Sequence, residues 1–341
     1  MKKYLIALAT LAVLAAVCVA VACHIFFSAA TTTSQIVYIS SKDLQSLGYD
    51  KVKDSLLMPH ISNHVAFDMY ATRLDLAKSI KPGRYQIHEG QNVVDIVRML
   101  KLGLQSPIRL TFNNIRTPAQ LAGRIAEQIE ADSMEVVSVL SAEEVLDKIG
   151  VKTTNELISI FIPNTYEIYW TTSPVRLVER MKREYDSFWN NERETKRKGL
   201  NLSRLEVSTL ASIVYEETAR EDEMARVAGV YVNRLKRGMK LQADPTVKYA
   251  MGDFELKRIL HKHLKYDSPY NTYMYAGLPP SPIAMASIVA IDAVLNYERH
   301  NYLFFCARPE FDGYHNFAQT LRQHNANSRA YSAELNRRKI K

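Results

Sequence analysis

"LSRLEVSTLASIVYEETAREDEMARVAGVYVNRL", residues 202–235, decides how the second half of this chain folds. Ser203 followed three residues later by Glu206 is a capping box, so a helix starts there and its pattern runs to about residue 219. Glu206 is thereby explained as a structural residue. Glu216 and Glu217 stand side by side near the end of the apolar run. At about 100° per residue, with Leu210 as zero, Ile213 and Val214 fall about 60° and 40° to either side and Val207 about 60° away. Glu217 then lies about 20° from the centre of the apolar stripe, and Glu216 about 120° off it on a solvated flank. Adjacent helix residues do not face each other, so the two carboxylates cannot grip one bond as a pair. Desolvation on the apolar stripe raises a carboxyl's pKa, which is how a glutamate is kept protonated near neutral pH and made a general acid. A buried glutamate salt-bridged to one of the many Arg and Lys side chains is the alternative, and geometry alone leaves both open.

The pattern predicts further helices at 223–237, 284–297 and 316–335, joined by irregular Pro- and Tyr-rich segments, so the far half is mainly helical. Upstream, Phe161–Trp170 reads as an aromatic strand followed by a helix over 174–189. The charged "NNERETKRKGLN", residues 190–201, reads as a loop. Nearer the start, Ile36–Ile39 is β-rich. "SIKPGRYQIHEGQNVVDIVRMLKLG", residues 79–103, predicts a turn at Pro82-Gly83, a strand through Tyr85–Ile87 and a helix from about Asn92 to Leu102. A second strand over Ile108–Phe112 precedes a helix capped near Thr117, with Pro118 at its first position. The fold class is therefore α+β: small strand-and-helix units, then an α-rich body.

Tyr4–Phe27 is almost unbroken apolar sequence after Lys2 and Lys3, long enough to span a bilayer with a cytoplasmic N-terminus. Ala20-Val21-Ala22 before Cys23 keeps a cleaved signal peptide, or lipidation at Cys23, as competing readings. Ala30–Gln35 reads as a short stalk. At 341 residues and 47% hydrophobic the chain has room for two or three cores. Two of its three cysteines lie in the apolar segment and only Cys306 in the body, so neither an intrachain disulfide nor a cysteine metal site is expected there. His60 and His64 are four apart but lack a third ligand type, so no metal site is expected. A net charge of +8 draws anionic polymers without choosing among them, and the basic runs at 193–198 and 337–341 read as solvated faces. No P-loop, HExxH or GxSxG occurs.

Residues 210–252, "LASIVYEETAREDEMARVAGVYVNRLKRGMKLQADPTVKYAMG", resemble the signature of the endolytic murein transglycosylase family, MltG or YceG-like. "DSPYNTYMYAGLPPSPI" (267–283), "GYHNFAQTLRQHN" (313–325), "KPGRY" (81–85) and "PNTYEI" (163–168) match in order, so the resemblance covers nearly the whole chain. It implies an N-terminal transmembrane helix (1–28), a stalk and LysM-like β-α module (29–110), and an α-rich, lysozyme-like catalytic domain (111–341). The family's catalytic glutamate directly precedes the Thr of the ET dipeptide, which falls on Glu217.

The implied activity is that of a lyase: internal cleavage of peptidoglycan between MurNAc and GlcNAc, leaving 1,6-anhydro-MurNAc ends and limiting the length of nascent strands. The implied setting is the inner membrane, crossed once, with the body in the periplasm. Glycan strands are the expected partner, peptidoglycan synthases a further one, with no nucleic acid and no cofactor. A glycosidase that hydrolyses uses two carboxylates. A lytic transglycosylase draws its nucleophile from the sugar's own C6 hydroxyl, so proximity replaces the second. Resemblance and chemistry nominate Gln242, Asp244, Tyr270, Asn271 and Thr272 to line the cleft; Asp244 before Pro245 also reads as a turn former and helix cap, and His315 as either a cleft or a structural histidine. Tyr215, Asn164, Ala243 and Asn316 depart from the family pattern, and Tyr215 leaves Glu217 as the one acid on its apolar face. A hydrolytic muramidase and a catalytically inactive wall-binding scaffold are the rival readings.

Overall fold

The computed structural model describes residues 2–112, 115–256 and 258–338; the end of the basic 337–341 run, residues 339–341, lies outside the described residues. The chain divides into two compact units. The first comprises Met1–Leu110 with the returning segments Gln128–Ala131 and Tyr166–Ser173, and the second takes Thr111–Glu127, Asp132–Thr165 and Pro174–Lys341.

In the first unit, a helix over Lys2–Phe27 is long and apolar enough to cross a membrane, and none of its apolar stretch is buried against protein. Its one mid-helix hydroxyl, on Thr10, donates to the Ile6 carbonyl at 2.8 Å, leaving no unsatisfied side-chain donor there. The strands β1 (Gln35–Ile39) and β2 (Gly83–Ile87) pair antiparallel with Val37 opposite Tyr85. Alternate residues Val37, Ile39, Tyr85 and Ile87 point into a core closed by Phe67, Ile96, Val97 and Leu100. The last three come from the Val93–Leu102 helix, capped by the Asn92 side chain and ended by Gly103 in the left-handed region. β3 (Ile108–Thr111) pairs with β4 (Thr165–Ile168).

The second unit is built around the Arg204–Glu217 helix. Val207 to Val214 are buried without a break, so this helix is enclosed on all sides instead of presenting one stripe. Around it pack the helices Glu221–Lys236, Asp244–Met251 and Ile288–Leu295. The central helix starts in the capping box expected at Ser203, and the expected Thr117 cap of the Pro118–Ala126 helix is itself a capping box completed by Gln120.

Two expectations are overturned here. Residues 190–201 are a helix, Asn191–Leu200, not a loop: Asn190 caps it, Asn201 ends it at φ 57°, and charge pairs hold it. Glu192 meets Lys196 at 2.6 Å, Glu194 meets Arg197 at 2.8 Å, and Arg193 grips Asp292 with two nitrogens while lying over the Phe188 ring. With no apolar period, hydrophobic patterning could not reveal it. The helix expected over 316–335 begins only at Leu321, capped by Thr320; before it, β5 (Phe304–Ala307) and β6 (His315–Ala318) form an antiparallel pair.

Gly229 sits inside the Glu221–Lys236 helix, where Ala is the better helix former by about 1 kcal/mol. A Cβ there would drive into the Glu298 carbonyl oxygen and the His300 ring. Gly229→Ala is therefore expected to destabilise by about 1–3 kcal/mol despite its propensity. Chemical denaturation of the detergent-solubilised chain reads this, and a stabilised variant would contradict the packing.

Candidate active site

Glu217 is the last residue of the central helix. Thr218 leaves in extended conformation (φ −143°, ψ 134°), and its hydroxyl accepts from the Arg220 amide at 3.0 Å, turning the chain into the next helix. That next helix brings Tyr231 back beside the first, and the Tyr231 hydroxyl donates to Glu217 Oε1 at 2.7 Å. Tyr231 and Arg234, one turn apart on the same face, both line a cavity of about 420 Å³ together with Glu217.

The remaining wall comes from three segments: Leu241, Gln242 and Asp244 with Tyr273; the aromatic strand Phe304, Phe305, Cys306; and His315 with His324. Arg234 is buried, donating to the carbonyls of Leu303 (2.6 Å) and Leu241 (2.7 Å) and to Gln242 Oε1 (3.3 Å), so it ties the Gln242 segment to β5. Gln242 adopts φ 51°, a left-handed backbone uncommon for a non-glycine residue and a sign of local strain held by its surroundings. Asp244 opens the Asp244–Met251 helix, whose N-cap position falls to Ala243, and accepts from the Tyr273 hydroxyl at 2.6 Å.

The nominated residues thus separate into two groups. Glu217, Gln242 and Asp244 line the cavity; Tyr270, Asn271 and Thr272 are not among its lining residues and brace one wall. Thr272 accepts the Ala243 amide and meets the Thr246 hydroxyl at 2.9 Å. Asn271, fully buried, donates to the carbonyls of Leu264 and Tyr266. Tyr270 meets Ser281 Oγ at 2.5 Å and packs on Tyr249. Sequence reasoning missed Tyr231, Arg234, Tyr273 and the β5 aromatics; the one signal available was the i, i+3 spacing of Tyr231 and Arg234.

Glu216 is not the solvated flank expected: its carboxylate accepts from Arg116 Nη2 at 3.0 Å and only 20% of the side chain is exposed. Among the described residues there is no cluster of three or more His, Cys, Asp or Glu able to hold a metal, and His64 Nε2 lies 3.1 Å from the Met58 carbonyl.

Burial pushes the Glu217 carboxyl from its ordinary 4.5 up to about 7. The Tyr231 hydrogen bond opposes this, nearby Asp244 adds to it, and His315 and Arg234 pull the other way. The C-terminal end of the helix, with its partial negative charge, also disfavours the anion. Burial raises the Tyr231 and Tyr273 hydroxyls as well, so both remain donors at neutral pH. A carboxyl poised near 7 can give a proton and take one back, which suits one group serving as acid and then base.

A family model described as the YceG-like family matches residues 46–330, and the chain belongs to that family. It is 28% identical over 291 residues to the endolytic murein transglycosylase of Bacillus subtilis (strain 168), covering 81% of this chain and 79% of that protein. It is 27% identical over 276 residues to the endolytic murein transglycosylase of Streptococcus pneumoniae (strain D39), covering 72% of this chain and 50% of that longer protein. The crystal structure of a YceG-like protein from Listeria monocytogenes aligns with a TM-score of 0.57 at 25% identity, over 86% of this chain and 98% of that one.

Between pH 4.5 and about 7 the folded protein holds the Glu217 proton that the unfolded chain releases. Its stability contribution is therefore greatest below 4.5 and declines as pH rises to about 7. Glu217→Gln is expected to melt like the parent at pH 4.5 and at higher temperature than the parent at pH 8. Parallel melting curves for the two chains across that range would show that the carboxyl is not desolvated.

Proposed function

We propose that this protein is a membrane-anchored lytic transglycosylase, a carbon–oxygen lyase that cuts peptidoglycan glycan strands internally, with Glu217 as its single acid and base. The observation that carries the proposal is the Glu217 carboxyl, held at about 7 by burial and gripped by Tyr231 in a 420 Å³ cavity. Membership of the YceG-like family and the names of its relatives supply the substrate class.

Glu217 donates its proton to the oxygen linking MurNAc to GlcNAc, and the C1–O bond breaks. The C6 hydroxyl oxygen of the same MurNAc then bonds to C1 as its proton passes to the Glu217 carboxylate, closing the 1,6-anhydro ring and restoring the acid. Because the nucleophile is already tethered, no water needs to be activated. Tyr231 holds the carboxyl in one orientation; Gln242 and Asp244 offer polar contacts to the sugar, and the β5 aromatics offer apolar area. Tyr270, Asn271 and Thr272 act by holding the Gln242 and Asp244 segment in place. The first unit serves as the LysM-like glycan-holding module. With the Lys2–Phe27 helix as its anchor, the body works on the outer side of the cytoplasmic membrane, within reach of nascent strands and the synthases that make them; the length and apolar character of that helix support this part of the reading.

Asp244 favours one second reading, because a carboxylate in the same cavity is what a hydrolysing muramidase needs. Mass spectrometry of products from purified glycan strands separates the two. Lytic cleavage yields 1,6-anhydro ends, and reducing hydrated MurNAc ends would establish the muramidase. Glu217→Gln is expected to lower turnover by at least about 10³-fold; full activity in that variant would remove Glu217 from the mechanism.

Tyr231→Phe removes the bond that favours the Glu217 anion, so the carboxyl should titrate above its present value of about 7. The alkaline limb of the rate profile, where Glu217 loses the proton it must donate, is expected to move to higher pH. A limb that stays put or moves down would exclude that role for the hydroxyl.

A further inference from the structure

A second, smaller cavity of about 50 Å³ lies in the same unit, lined by Arg116, Glu216, Pro245, Lys248, Tyr249 and Phe254. It stands back to back with the active cavity: Glu216 lines it where Glu217 lines the larger one, and Pro245 where Asp244 does. Arg116 gives Nη2 to Glu216 at 3.0 Å, and its guanidinium lies over the Phe254 ring at 5.3 Å. Among the described residues that is the one hydrogen bond the guanidinium makes, so several of its N–H donors remain for a second carboxylate. Lys248, one turn after Asp244 on the same helix, is half-buried, and its ammonium makes no hydrogen bond or ion pair with any described residue. Tyr249 backs the cavity, its ring 6.2 Å from that of Phe254 and 4.7 Å from that of Tyr270. Arg116 and Lys248 thus bring two positive charges against the one negative charge of Glu216.

We propose that this second cavity binds a carboxylate of the stem peptide carried by the strand being cut. This rests on the transglycosylase reading above and adds to it a site that reads the peptide. In peptidoglycan the lactyl side arm of MurNAc bears either a short acidic peptide or, where that has been removed, a bare lactyl acid. Reach decides between the two. The Asp244–Met251 helix stands between the cavities, and a helix with its side chains is about 10 Å across. A stem of about five residues extends to about 17 Å, enough to run from a sugar at Glu217 to Lys248, whereas the lactyl acid, a few bonds from the ring, falls short. Size agrees: a cavity of about 50 Å³ holds a group as large as a few waters, which fits a carboxylate and excludes a sugar ring. The carboxylate accepts from Lys248 Nζ and from the unused donors of Arg116, in charge-assisted bonds that balance the surplus positive charge. Glu216 is a positioning residue, since it fixes the Arg116 guanidinium and does not touch the peptide.

The test uses the full-length, detergent-solubilised chain on two substrates, uncrosslinked strands that keep their stem peptides and the same strands stripped of them by an amidase, with anhydro products counted by mass. The unaltered protein is expected to show a KM about 10-fold lower on the peptide-bearing strands. Lys248→Met, which keeps the length of the side chain and removes its charge, should erase that difference while leaving kcat and KM on bare strands unchanged. Lys248→Arg should keep most of it, and converting the peptide carboxyls to amides should erase it for the unaltered protein. Because Lys248 is half-buried on a helix surface, both variants are expected to melt with the parent. Equal KM of the unaltered protein on the two substrates, a preference that survives in Lys248→Met, or a loss in that variant as large on bare strands as on peptide-bearing ones overturns the peptide site and leaves the transglycosylase reading intact. Absence of anhydro products from both substrates overturns the transglycosylase reading itself.

Discussion

The hydrogen bond from Tyr231 to Glu217 is the contact on which the proposed chemistry of the second unit depends. A carboxyl at the end of a helix with eight consecutive buried positions is partly shielded from water, and an uncompensated charge there is expensive. Among the described residues, the carboxyl meets one neutral donor and no directly paired cation. An arginine in ion-pair contact would have held Glu217 ionised at neutral pH and removed its acid function. The guanidinium that lines the same cavity, on Arg234, is instead engaged by the carbonyls of Leu303 and Leu241 and by the Gln242 amide oxygen.

Much of what surrounds that bond is scaffolding for a segment under strain. Gln242 holds a left-handed backbone because its amide is bonded to the Thr272 carbonyl at 3.1 Å and its side chain to Arg234. Thr272 is fixed in turn by Thr246 and the Ala243 amide, and Asn271 by two carbonyls of the preceding loop. Ser212, one turn before Glu216 on the central helix, accepts the Ile283 amide at 3.0 Å and so moors the Pro-rich 277–283 segment to the same helix. Polar groups this deeply buried are stabilising only when every partner is present, and here they join the helix, the loop and the cavity wall into one network.

How much of this was legible in the sequence follows from what each signal measures. Helix caps are local, so the Thr117 cap and the Ser203 capping box could be read directly. Apolar spacing at helical period gave the Val93–Leu102 helix and both helices around Glu217. The Asn191–Leu200 helix escaped because its stability lies in caps and charge pairs, including a bidentate one to Asp292, 99 residues away in sequence. β5 and β6 escaped because their pairing is a tertiary fact: Phe304–Ala307 has no polar alternation to mark a strand. For the candidate site, helix geometry put Glu217 on the apolar stripe and the family resemblance singled it out, whereas Tyr231, Tyr273 and Phe305 carried no such signal, since only the fold brings them within reach. Thr272 and Asn271 were picked out for their polar chemistry, which the structure places in the wall's bracing and not on its surface.

The paired glutamates show how finely one helix can divide two identical side chains. A step of about 100° turns Glu216 away from the cavity and toward Arg116, where an ion pair at 3.0 Å holds it. The same step turns Glu217 into the cavity, where burial and a phenol hold it near its midpoint at neutral pH. Were the helix shifted by one residue so that Glu216 took the cavity position, Tyr215 would face Arg116 and Glu217 would pass to the position of Thr218, losing the cavity. The register is set at the far end, by the Ser203 cap, and is locked by the unbroken buried run from Val207 to Val214. The acid strength of Glu217 is thus a consequence of packing along the whole helix, since what distinguishes it from its neighbour is only which way the helix makes it face.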